Sequence, residues 1–165
     1  EIPLRLVGSE MCIRDRSLKC SNYVGETLDM ARELGVKGLL FIAHIGKFIK
    51  VSGGIMNTHS RNSDSRAELL AAQAARAGAG AETIRRILDT VTTEEGLDIL
   101  EEAGLLKPAM EEVVARAEFY LRKRAGDGLS VGLVLFSNVH GLLGESENAK
   151  ELTEKIKEQE IEDDR

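Results

Sequence analysis

Tryptophan is absent from this sequence, and aromatic residues make up 4% of its 165 positions. Its core must therefore be filled by Leu, Ile, Val and Ala rather than by large rings. No stretch approaches the roughly 20 consecutive apolar residues that a membrane-crossing helix needs. Cysteine is scarce. Cys12 and Cys20, separated by seven residues, fit neither a zinc spacing nor the disulfide framework of a secreted domain, so the chain is read as cytoplasmic. Positive charge is not in excess either: 22 Lys and Arg stand against 28 Asp and Glu, a net charge of −6, which argues against general nucleic-acid binding. A P-loop and a G-x-G-x-x-G are also missing, and there is no strand-turn-helix nucleophile elbow. What is present, 42% apolar and 30% charged residues, suits one globular domain with a real core.

The opening EIPLRLVGSEMCIRDRSL shows neither a helical nor a strand period and no secretory pattern. Its centre, LVGSEMCIRDR, resembles translated sequencing-adaptor read-through. Residues 1–18 are therefore expected to be non-native, with the natural sequence beginning near Leu18 or Lys19, and they are set aside from the fold reading. Residues 19–160 are expected to form one domain, and 161–165 a tail.

Leu18 to Ser21 reads as the end of a strand. Val24, Leu28, Ala31 and Leu34 then fall on one helical stripe, with Gly35 in the position of a C-terminal cap. Leu39 to Ala43 is a short continuous apolar run, the pattern of a strand buried on both faces of a parallel sheet. Strand, helix and strand at this spacing predict a βαβ unit. From Ser63 the pattern turns helical. Ser65 with Glu68, and Thr92 with Glu95, have capping-box spacing. Pro108 suits the first turn of a helix whose stripe is Met110, Val113, Val114, Ala117 and Leu121. Leu129 to Phe136 is a second strand, FSNVHGLLG a Gly-rich loop, and 146–160 a last amphipathic helix. The expected class is α/β: a mostly parallel sheet flanked by helices, with an inserted helical segment.

Ligands of open α/β sheets bind outside the carboxyl ends of the strands. Three polar, Gly-bearing segments are expected there: CSNYVGE, AHIGK and FSNVHGLLG. Ser21, Asn22 and Gly25 in the first, and Ser137 and Asn138 in the third, are candidates to hold a small ligand. In the middle segment His44 leaves the strand, Lys47 and Lys50 are expected on one helix face, and Gly53-Gly54 end that helix. Asn57, Thr58, His59, Ser60, Arg61, Asp64 and Arg66 follow. Lysines and arginines gathered beside a helix start point to a carboxylate- or phosphate-bearing ligand. Blander readings stand beside this one. The two lysines could be a solvated face, His59 a turn cap, His44 a hydrogen-bonded loop residue, and His140 structural. His44 and His59 are fifteen apart with no carboxylate or cysteine at ligand spacing, so no metal site is expected. Ser60, His59 and Asp64 could be drawn as a hydrolytic triad, without the turn that usually presents one.

The stretch Ala43-His44-Ile45-Gly46-Lys47-Phe48-Ile49-Lys50, followed by Gly54-Ile55-Met56-Asn57-Thr58-His59-Ser60, resembles the cobalt-precorrin-5B C(1)-methyltransferase family, CbiD, of anaerobic cobalamin biosynthesis. Ala43 stands where that family usually has glycine. Asp64, Arg66 and Glu68, and the closing VGLVLFSNVHGLLGES, extend the likeness from about Lys19 to the mid-140s. The resemblance implies a C-terminal fragment, lacking the N-terminal half of its own chain and inactive alone. It implies methyl transfer from S-adenosylmethionine to ring carbon 1 of a cobalt corrinoid, with cobalt only as part of the substrate. It also implies Lys47, Lys50, Arg61 and Arg66 paired with the corrinoid's carboxylates, and His44 or His59 as a base. A non-catalytic corrinoid- or anion-binding module is the alternative.

Overall fold

The computed structural model describes residues 3–7 and 17–163. Cys12, most of the segment set aside at the N-terminus, and the last two residues of the expected tail lie outside them. The two apolar runs form the centre of the sheet. β3 (Gly38–His44) and β4 (Ser130–Ser137) pair in parallel, Gly38 opposite Ser130 and His44 opposite Phe136. β1 (Pro3–Val7) lies antiparallel to β3, and β2 (Ser17–Lys19) antiparallel to β1. β5 (Gly141–Glu145) folds back antiparallel on β4, with an irregularity between Leu135 and Phe136. The order is β2-β1-β3-β4-β5.

The expected mostly parallel sheet is therefore corrected to a mixed one, in which one neighbouring pair is parallel and three are antiparallel. Two causes account for it. β1 and most of β2 come from the N-terminal segment set aside from the fold reading, so the two antiparallel pairs they add were not anticipated. The stretch FSNVHGLLG is a strand end, a turn and a returning strand, not a loop: Gly141 at φ +70° takes a left-handed conformation that closes the hairpin. β2, α1 (Val24–Glu33) and β3 do run strand-helix-strand. The strands point the same way, but β1 lies between them.

After β3 come the short helix α2 (Ile45–Phe48), a 3-10 turn over Ile49–Gly53, α3 (Arg66–Arg76), α4 (Ala81–Leu88), α5 (Thr93–Glu102) and α6 (Leu106–Ala125). This is the inserted helical segment, and it is also the crossover joining the two parallel strands. Thr92 and Glu95 form the expected capping box of α5. Ser65 does not cap α3: its hydroxyl turns to that of Ser63 instead, 2.9 Å away.

β3 sends Leu39, Phe41 and Ala43 to one face and Leu40 to the other, which is why its sequence reads as unbroken apolar. The first face meets α6, whose Met110, Val113, Val114, Ala117 and Leu121 are buried as the stripe predicts. The second meets α7 (Ala149–Asp163) through Ala149, Leu152 and Ile156. Two large buried side chains contribute about 2 kcal/mol each, so the docking of α7 is sensitive to a single added group. Gly132 on β4 is where it is most exposed to that: a Cβ there would meet Leu152 Cδ1 at 2.9 Å, Leu40 Cδ1 at 3.0 Å and the Ala149 backbone at 3.1 Å. Gly132→Val should lower stability by about 1–3 kcal/mol in a urea titration. An unchanged midpoint would mean that α7 is not closely docked.

α1 is tied to α6 by a two-pronged ion pair, Arg124 Nε and a terminal amine donating to Asp29 at 2.9 and 2.6 Å. The Arg124 guanidinium holds the Asp29 carboxyl below its usual range. The stabilisation is thus fully present above the ordinary aspartate value of about 3.9 and is lost as pH falls through the depressed folded value. In Asp29→Asn the stability deficit against wild type should shrink steadily between about pH 5 and pH 2. A deficit constant over that window would remove the ion pair as its source.

Candidate functional site

Because β3 and β4 are parallel neighbours, His44 and Ser137 leave the sheet at the same edge. His44 caps α2 with its own ring: Nδ1 accepts from the Gly46 N–H at 3.1 Å. Its Nε2 faces Glu94 Oε1 at 3.5 Å, and its ring stands edge-on to Phe136. Glu94, from the first turn of α5, accepts from the Ser137 hydroxyl at 2.9 and 2.8 Å. The Ser137 oxygen in turn accepts the Val139 and His140 N–H groups at 3.0 and 3.1 Å. The His140 ring is buried between Asp98, at 3.0 Å, and Glu101, at 3.7 Å, and holds the β4–β5 turn against α5. Asn138 is exposed.

A second group assembles beside it. Asn22, Gly46, Lys47, Lys50, Thr58, His59, Ser60 and Arg66 line a cleft of about 270 Å³. Lys47 and Lys50 do not share one face. After one turn of α2 the chain tightens to a 3-10 turn, so Lys47 is exposed while Lys50 is 2% exposed. The Lys50 ammonium donates to the Thr58 carbonyl at 3.0 Å and to that of Ser63 at 2.7 Å. Burial, with Arg66 and Lys47 adding to it and Asp64 opposing, pushes its pKa below the ordinary lysine range. Thr58 is buried and tied to Asn22 through its N–H (3.0 Å) and its hydroxyl (3.2 Å). Asn57 accepts the His59 N–H on its side-chain oxygen, and His59 Nδ1 accepts the Arg61 N–H at 3.1 Å. Arg66 gives its Nε to Asp64 at 2.9 Å. Ser60 and Arg61 are exposed. The drawn triad of Ser60, His59 and Asp64 is not assembled, since His59 and Asp64 each hold a different partner.

The residues suggested for a small cofactor do not converge. Ser137 is committed to Glu94 at the strand ends, whereas Asn22 lines the cleft. Gly25 is covered: its N–H donates to the Met56 carbonyl, and an added Cβ would meet that of Met56 at 2.9 Å. Ser21, at φ 51°, forms the turn into α1. Burial pushes the Cys20 thiol up, which leaves it a protonated core group. Among the described residues, no three His, Cys, Asp or Glu side chains come together as metal ligands.

A family model described as CbiD, C-terminal domain, matches residues 57–147, more than half of the chain. The chain belongs to the CbiD family. The cobalt-precorrin-5B C(1)-methyltransferase of Ruminiclostridium cellulolyticum is 42% identical over 126 residues, 76% of this chain and 33% of that protein. The protein of the same name from Alkaliphilus metalliredigens is 33% identical over 156 residues, covering 92% and 40%. That from Methanocaldococcus jannaschii is 42% identical over 110 residues, covering 67% and 30%. The chain thus spans between about a third and two fifths of the length of these relatives. No solved structure matches it.

Within the CbiD-matched span, Glu94 is the residue that sequence reasoning missed. In the sequence it is one of an acidic pair in a helix's first turn, where the helix dipole alone explains it. Its partner Ser137 is 43 residues away, so no local spacing joins them. Glu94→Ala should cost about 1–3 kcal/mol by leaving the buried Ser137 hydroxyl without its acceptor. Combined with Ser137→Ala, the loss in urea titrations should be less than the sum of the two. Full additivity would mean that the two side chains act independently.

Proposed function

We propose that this chain is the C-terminal part of an S-adenosylmethionine-dependent enzyme that methylates ring carbon 1 of cobalt-precorrin-5B, and that it is inactive alone. The observation that carries the reading is the cleft: in a chain of net charge −6 it collects Lys47, Lys50 and Arg66 around His59. At about 270 Å³ the cleft suits one acidic arm of a large macrocycle, not the ring itself. The flat ring would lie across the mouth with its carboxylates drawn to these cations, Arg61 included. Methyl transfer to carbon requires the acceptor atom to be aligned with the donor sulfonium, so anchoring one arm contributes through positioning. S-adenosylmethionine supplies a methyl group on a sulfonium. Of the residues suggested to hold a small ligand, Asn22, Gly25 and Ser137 are engaged in internal hydrogen bonds and the set does not converge, so the contacts of S-adenosylmethionine are assigned to the remainder of the longer enzyme.

The histidines suit donation better than proton removal. A backbone N–H occupies Nδ1 in both His44 and His59, so the neutral ring of each carries its proton on Nε2. Taking a proton at Nε2 would require a neutral ring with its hydrogen on Nδ1, head-on to that N–H. His59 therefore enters as a hydrogen-bond donor to a substrate oxygen, and His44 as a residue that orders the strand end. The same observation favours the second reading, a corrinoid- or anion-binding module without catalysis, because it leaves the cleft without a free base.

The complete reading frame should be incubated with methyl-labelled S-adenosylmethionine and cobalt-precorrin-5B. We expect a corrinoid one methyl group heavier, and in His59→Ala a KM raised about tenfold with kcat nearly kept. A collapse of kcat at constant KM would restore His59 as the base. A folded chain that binds S-adenosylmethionine yet leaves the corrinoid unlabelled would overturn the methyltransferase reading in favour of the binding module.

A further inference from the structure

We propose that Lys50 is the specificity group of the cleft: its buried ammonium receives one carboxylate of the ligand at the cleft floor, alongside the Nε2–H of His59. The proposal rests on the reading of the cleft as part of a substrate site, and it names what that site recognises.

An ammonium carries three N–H donors. Two of those of Lys50 go to the carbonyls of Thr58 and Ser63. Among the described residues no carboxylate lies within ion-pair distance of it, since Asp64 is taken by Arg66. A buried cation hydrogen-bonded to carbonyls alone, with Lys47 and Arg66 nearby and Asp64 offsetting them only in part, is a charge of the kind that folding disfavours. If Lys50 served only to staple the loop, a neutral donor would do the same work without that cost. An anion in the cleft would complete the third donor and balance the charge.

The loop also says which anion. Phosphate sites are built from converging backbone N–H groups. Here most of those N–H groups are consumed internally, that of Ser60 excepted. Thr58 donates to Asn22, His59 to Asn57, Arg61 to the His59 ring, and Asn62 and Ser63 to the His59 carbonyl. The N–H of Gly46, at the start of α2, goes to the His44 ring. What remains is mainly side-chain donors lining the same cleft, Lys50 Nζ and His59 Nε2, and two such donors suit the two oxygens of a carboxylate. Lys47 and Arg66 at the cleft wall add attraction without fixing geometry.

The test uses the chain itself and tricarballylate, a small tricarboxylate, with inorganic phosphate at equal ionic strength as the comparison. Titration calorimetry should give a dissociation constant on the order of 1 mM for tricarballylate and clearly weaker binding of phosphate. Lys50→Met should weaken tricarballylate at least about tenfold, while Lys37→Met, remote from the cleft, should not change it. An anion stabilises the ammonium and raises its depressed pKa, so binding in alkaline buffer should take up protons. That uptake should vanish in Lys50→Met. A folded Lys50→Met that binds like wild type would make Lys50 a loop staple and nothing more. Phosphate binding as tightly as tricarballylate would overturn the choice of carboxylate. Should Lys50→Met fail to fold, the Nζ resonance of Lys50 in the wild-type chain decides. It should shift with tricarballylate, and a stationary signal would sink the proposal. None of these readouts depends on methyl transfer, so the carboxylate seat and the methyltransferase reading can fail separately.

Discussion

The parallel pairing of β3 with β4 is the constraint on which the rest of the molecule depends. Parallel neighbours need a long crossover, and here that crossover carries α2 to α6. The pairing also brings two distant segments out at one edge, His44 from β3 and Ser137 from β4. Without the shared edge, the first turn of α5 would have nothing to span. Glu94 binds Ser137 and approaches His44, so the helical insertion is fastened to the strand ends by a carboxylate, and His140 with Asp98 and Glu101 fastens it a second time.

The cleft depends on that edge at one remove. α2 starts at His44, and its early tightening into a 3-10 turn rotates Lys50 inward. Gly54, at φ +81°, then reverses the chain where a side chain would be strained and would also run into Tyr120. The loop that follows has little apolar burial of its own beyond Met56 and is held by polar ties: Thr58 to Asn22, and Lys50 to Thr58 and Ser63. An ammonium is well suited to this task because it donates in three directions from one point. The same property leaves it with a charge and a donor in excess of what the loop requires.

Elements whose side chains announce their own environment were legible in the sequence. β3 showed itself through the run Leu39 to Ala43, α6 through the stripe from Met110 to Leu121, and the start of α5 through Thr92 and Glu95. Site residues close together in sequence were legible for the same reason: Lys47, Lys50, Thr58, His59, Ser60 and Arg66 do line one cleft. Features set by geometry between elements were not. β5 reads as a Gly-rich loop because half-exposed edge strands carry weak patterning. The interposed β1 was not found because it lies in the N-terminal segment set aside from the fold reading. Lys50 reads as a surface residue because its burial is decided by where a helix changes pitch. Glu94 reads as a helix cap because its partner comes from another strand. Leu34, placed on the buried stripe of α1, is 63% exposed, since the helix ends before that position reaches the core.

The tautomers imposed on the two histidines bear most directly on what the cleft can do. Histidine suggests a base because its ring titrates near neutrality, but a base also needs a lone pair directed at the proton it removes. In His44 and His59 alike, the lone pair of the neutral ring lies on Nδ1 and is used to cap a turn of the chain. The arrangement converts two apparent bases into fixed donors. In the cleft, His59 with Lys47, Lys50 and Arg66 makes a surface of hydrogen-bond donors and cations, with the nearby Asp64 carboxylate already paired to Arg66. On the proposed reading, such a surface would recognise and orient anions. Chemistry at a carbon atom on the far side of a bound ring would draw on this domain for alignment, and on other parts of a longer enzyme for the group transferred.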